Sequence, residues 1–234
     1  YFRLLRERNV DAYLLVHERT RSELDVLLGA DASRVTYVRD TALHRALFAS
    51  SRLLPQRLAD VTCGVLLRLL TGWMARSEAA RLIGEHAIEI VHQPIPVSPK
   101  DPSLMWGLKA PVVIGPMNGG MHYPKGFSDL ESSLERVLIR QMRRISHVVH
   151  YIFRGKLEAT MLLVANERTR VALPRGTKGR VEVLVENGVD LKVFRNARSG
   201  PPRGRGEVLK ALFVGRLVDW KALDIVLDAL AAGG

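Results

Sequence analysis

Cysteine is almost missing from this 234-residue chain, with Cys63 its only example. One thiol cannot close an internal disulfide, so the fold needs no oxidising compartment, and cysteine-based zinc sites and iron–sulfur clusters are excluded. Long apolar runs are missing too. The nearest, Val61 to Met74, is interrupted by Arg68 and falls short of the roughly 20 residues that span a bilayer. These absences lead us to expect a cytoplasmic chain. There is no G-x-x-x-x-G-K-[ST], no H-E-x-x-H and no G-x-S-x-G. Gly204-x-Gly206 lacks the third glycine of a dinucleotide fingerprint, and a strand pattern follows it. Several familiar enzyme classes lose their support. Aromatics make up only 6% and no nucleic-acid module is visible, which weakens the partner that charge alone would suggest.

What is present is a globular composition, 47% hydrophobic and 25% charged, able to bury a sizeable core and unlike a disordered or collagen-like chain. The charge is strongly positive, 35 Lys and Arg against 24 Asp and Glu, for a net +11. Both ends read as interrupted. Phe2-Arg3-Leu4-Leu5-Arg6 resembles the middle of an amphipathic helix, with no initiator methionine or signal peptide, and the helix pattern from Leu223 to Ala232 stops at Gly233-Gly234. The expectation is a piece of something longer.

Short β-branched runs alternate with longer helical patterns, the arrangement of parallel α/β units. Strands are predicted at Ala12 to Val16, Val35 to Val38, Ile88 to Val91, Val112 to Ile114, Met161 to Val164, Val181 to Val185 and Val208 to Val214. Helices are predicted near Thr20 to Leu28, Thr41 to Leu54, Leu58 to Trp73, Ser77 to Glu85, Leu130 to Val149, Glu167 to Leu173 and Lys221 to Ala231. Pro111-Val112-Val113-Ile114 lacks polar alternation, as a strand buried on both faces would. The expected fold class is α/β, a doubly wound, Rossmann-like parallel sheet with helices on both faces. Residues 195–206, rich in Gly, Pro and Arg without apolar anchors, read as a linker. It separates a first domain, 1–194, from the first β-α unit of a second, 207–234.

Three segments could carry chemistry. In Ile90-Val91-His92-Gln93-Pro94 a strand delivers a histidine at its carboxyl end, where open α/β sheets bind ligands; a structural imidazole is the plainer alternative. Ile114-Gly115-Pro116-Met117-Asn118-Gly119-Gly120 also follows a strand, and its glycines let backbone N–H groups approach a ligand, or simply make a turn. In Leu212-Phe213-Val214-Gly215-Arg216-Leu217 a strand ends in Gly-Arg, with Lys221 opening the next helix. Two cations beside a helix N-terminus suit a diphosphate, although in so basic a chain they can also be merely solvated.

Phe213-Val214-Gly215-Arg216-Leu217 with Lys221, preceded by Glu186-Asn187-Gly188-Val189-Asp190, resembles retaining glycosyltransferase family 4, of the GT-B fold. The Gly115 to Gly120 loop and His92-Gln93-Pro94 stand in the family's order. The resemblance runs from about His92 onward; earlier residues match only in α/β pattern. It implies two Rossmann-like domains facing a cleft, and retaining transfer of a hexosyl unit from a nucleotide sugar to a glycan, lipid-linked or small-molecule acceptor. Arg216 and Lys221 would bind the donor diphosphate, His92 would lie by the transferred sugar as the catalytic residue, and Asn118, Gly119 and Gly120 would line the acceptor and sugar loop. Asn187-Gly188 would form a tight turn by the hinge. No cofactor and no metal are expected, the nucleotide-diphosphate sugar being substrate. The family's Glu-x7-Glu motif is absent, as is the glycine-rich loop after its first strand, and Ala222 replaces the glycine that often follows the motif lysine. The chain by itself is therefore expected to be inactive.

From Leu134 to His150 the apolar residues fall on one helix face, with Arg136, Arg140, Arg143 and Arg144 opposite. This is either a core-packed helix with a solvated back or a surface for anionic lipid, which would place the protein peripherally on the inner membrane face. A basic α/β protein that binds nucleic acid or membrane without catalysis is the competing function.

Overall fold

The computed structural model describes residues 1–54, 59, 62–120, 148–186, 188, 212–215, 217 and 221–232. Of these, 1–120 and 148–186 form one compact unit, and those from 188 onward belong to a second. The basic face of Arg136, Arg140, Arg143 and Arg144, the linker 195–206, Asn187 and Arg216 lie outside the described residues.

The first unit is α/β, Rossmann-like and parallel throughout its described ladders. Helix α1 (Phe2–Glu7) leads to β1 (Leu14–His17), α2 (Arg21–Leu28) and β2 (Val35–Val38), which pairs in parallel with β1. Helices α3 (Ala42–Ser51) and α4 (Cys63–His86) follow, packed on each other. A four-stranded parallel sheet then runs in chain order: β3 (Val91–Gln93), β4 (Val112–Met117), β5 (Met161–Val164) and β6 (Arg180–Val183). Short helices α5 (Gly155–Glu158) and α6 (Glu167–Val171) lie before and after β5. The described strands thus make two parallel sheets, and the larger contains no reversal of strand order. In the second unit, Leu212–Val214 are not in a strand, and α7 (Leu223–Ala232) buries no residue.

Strands β2 and β5 lie where the sequence predicts them. Most other bounds shift by a few residues, and three differences are structural. The helices predicted at 58–73 and 77–85 are continuous from Cys63, because Met74-Ala75-Arg76 are good helix formers and nothing there breaks the pattern. Strand β3 begins at Val91 rather than Ile88: its first ladder bond runs from Val91 N–H to Pro111 O, and Ile90 is exposed. Strand β4 continues past Ile114 through Gly115-Pro116 to Met117, with a register shift against β5 where Pro116 has no N–H to donate. The core lies against this sheet, where Ile114, Met117, Leu162 and Val164 are wholly buried among Val112, Met105, Ala79 and Leu173.

Candidate functional site

The carboxyl ends of β3 and β4 bring two of the three sequence segments together. His92 sits within β3, half-buried, and donates its Nε2–H to Gly115 O at 2.6 Å. A carbonyl only accepts, so this bond settles the proton on Nε2 and leaves Nδ1 for a second partner. The Tyr1 ring and the imidazole meet edge to face, their centroids 5.2 Å apart.

Gly115 is required by its backbone. Its φ is 116°, and a Cβ there would drive into the carbonyl of Leu163 on β5. Beyond it, Asn118 N–H donates to Val97 O at 2.9 Å, tying the β4 loop to the segment after β3. Gly119 N–H donates to Thr169 Oγ1 at 3.1 Å, and Asn166 Oδ1 caps α6 by accepting from Thr169 N–H at 3.0 Å. Asn118 Nδ2 donates to Glu186. The loop is held from β3, α6 and the residues after β6, while Asn118, Gly119 and Gly120 stay partly open. Polar groups fixed from several sides are what a specific ligand site needs.

Lys156 is wholly buried, its Nζ donating to Ser98 O, in the segment after β3, at 2.6 Å. Burial pushes its pKa down to about 7, against an upward pull from Asp101 and a further downward push from Lys100. No sequence signal singles it out, because lysine in a four-residue helix ordinarily faces solvent. A depression of about 500 Å³ lined by Trp106, Gly107, Lys109, Pro111 and Thr160 lies instead at the amino end of β4. By the strand-end rule that is the wrong side for a site built on His92.

In the second unit, Lys221 is exposed just before α7. Ala222 takes φ 51°, a left-handed conformation that glycine adopts without cost. The glycine it replaces in the resemblance therefore has a backbone reason.

A further constellation escaped the sequence reading. His17 closes β1, Asp40 follows β2 and His44 lies in the first turn of α3, and one donor atom from each falls within 4.8 Å of the other two. Its signal was the one that singled out His92, a histidine ending an apolar strand, but nothing in the sequence ties residue 17 to residues 40 and 44. The hydrogen bond from Arg19 holds the Asp40 carboxyl below the usual carboxylate value. Burial, and then charge on His17, lower the His44 pKa, with Asp40 pulling the other way.

No family model, no curated protein and no solved structure matches this chain.

Proposed function

We propose that the chain is the acceptor-side part of a retaining glycosyltransferase, which moves a hexosyl unit from a nucleotide sugar to a glycan or lipid-linked acceptor. The observation that carries this reading is the juxtaposition of His92 with the Gly115 to Gly120 loop at the carboxyl ends of adjacent parallel strands. In this reading His92 Nδ1 faces the transferred sugar, Asn118 with the backbone at Gly120 orients hydroxyl groups, and Gly119, tied to Thr169, lines the loop. A sugar offers many hydroxyls and no charge, so neutral donors and acceptors on a fixed loop are suitable partners. Arg216 and Lys221 would offset charge building on the departing diphosphate, an effect that grows towards the transition state.

The test uses nucleotide hexoses in two assays. Saturation-transfer NMR on the 234-residue chain measures sugar contact, and radiolabelled transfer is measured on the longest product of the coding sequence that contains it. We expect transfer there with retention of configuration, and His92→Ala to reduce kcat by about 100-fold or more, the scale lost when a positioned polar group is removed from a transition state. Absence of transfer with every nucleotide hexose, or full activity in His92→Ala, overturns the reading.

A further inference from the structure

The cluster at the carboxyl ends of β1 and β2 stands apart from the transferase reading and is built differently. Its three members come from three places in the chain, the end of β1, the turn after β2 and the start of α3. Two imidazoles and one carboxylate form the donor set that borderline divalent metals prefer. We propose that His17, Asp40 and His44 form a divalent transition-metal site, with zinc the ion that fits best.

The spacing needs little adjustment. Donor atoms around a tetrahedral zinc, at bonds of 2.0–2.2 Å, lie about 3.4 Å apart. Closing the present limit of 4.8 Å to that takes about 1.4 Å at most.

One outer contact, on the far side of the His44 ring, is in place. Thr41 N–H donates to His44 Nδ1 at 3.3 Å, so Nδ1 holds the lone pair and the ring proton sits on Nε2. Nε2 lies 3.1 Å from Thr71 Oγ1 on α4, which accepts that proton and fixes the ring. A ligating histidine is commonly oriented this way, through its other N–H. A metal on Nδ1 would displace both Thr41 contacts to that lone pair, the N–H at 3.3 Å and the hydroxyl at 2.8 Å, while the hydroxyl keeps its contact with His44 N–H, which it already accepts at 3.4 Å. The two imidazoles stand edge to face at 5.1 Å.

The rival for the carboxylate is Arg19, whose Nε and Nη2 donate to the two Asp40 oxygens at 3.2 and 3.1 Å. Arg19 is exposed and its guanidinium lies 4.8 Å over the Phe48 ring, so it can release one oxygen and stay stacked. Three protein ligands leave a fourth position for water or a ligand oxygen. The ion would join both turns of a layer that has almost no buried apolar side chain.

The test is titration of the tag-free 234-residue chain with zinc, and with cobalt as a spectroscopic probe. We expect one equivalent bound, visible d–d absorption of tetrahedral intensity, and a higher unfolding midpoint in zinc. His44 is buried and its removal can unfold the layer, so the decisive variants are at the half-buried ligands, His17→Ala and Asp40→Asn. Each should weaken binding at least about tenfold while circular dichroism stays native, since loss of an outer-layer partner alone costs that much. Arg19→Ala, which removes the competing cation, should tighten zinc. Absence of stoichiometric binding, equal affinity in both ligand variants, or weaker binding in Arg19→Ala overturns the assignment.

Discussion

The four-stranded sheet and the β1–β2 layer share parallel topology but are held by different forces. In the first, Ile114, Met117, Leu162 and Val164 are wholly buried, and Val112 beside them is buried too. In the second, every residue of β1 is only half-buried, and of the two strands only Val38 is fully covered. The layer is instead laced by charge: Arg6 to Asp31 at 3.0 Å, Arg34 to Asp11, Arg19 to Asp40, and the Arg21 guanidinium 3.9 Å over the Tyr37 ring. Burial of apolar area is worth roughly 25 cal/mol per Å², whereas an exposed ion pair contributes about 0–1 kcal/mol. Stability therefore concentrates in the larger sheet, and the smaller is the part a bound ion can change.

The largest expected effect is Gly115→Ala. A methyl group against the Leu163 carbonyl, on a backbone at φ 116°, should cost more than about 4 kcal/mol or abolish folding, as read by urea denaturation. Next, Leu162→Ala should cost about 3–5 kcal/mol, and Val16→Ala in β1 about 1 kcal/mol. Equal losses at the two positions would erase the contrast between the sheets.

Lys156 is the exception inside the apolar region, and pH exposes it. The unfolded amine keeps its proton to about 10.5 while the folded one sheds it at about 7, so between those values the unfolded chain binds more protons. Stability should rise with pH across that window, by about 2 kcal/mol from pH 7 to 9, and Lys156→Met should flatten the profile in denaturation at a series of pH values. At the small end, Arg6→Ala should cost only about 0.2–1 kcal/mol, with the difference fading in high salt; a larger loss would mean that the layer depends on this ion pair far more than its exposure implies.

Much of this was legible beforehand. Apolar and β-branched content locates β2 and β5, because such residues favour a paired, pleated strand whether or not the core lies against it. Boundaries were less legible. Whether Ile88 or Val91 opens β3 depends on where Pro111 stands opposite, a fact about a neighbouring strand. The merging of two predicted helices into α4 depends on residues whose propensity permits helix without demanding it. At the candidate site, the residue types of His92 and the glycine loop announced themselves, but the hydrogen bond that joins them did not, since it spans 23 positions.

The amino-acid pattern was enough for the α/β class, the parallel sheets and the glycine-rich strand end, because propensity and periodicity act locally along the chain. The fold alone decided that His17 meets Asp40 and His44, that Lys156 lies buried against Ser98 O, and that Gly115 admits no side chain. Each depends on what a distant segment brings within a few ångströms, where burial and charge change what a residue can do.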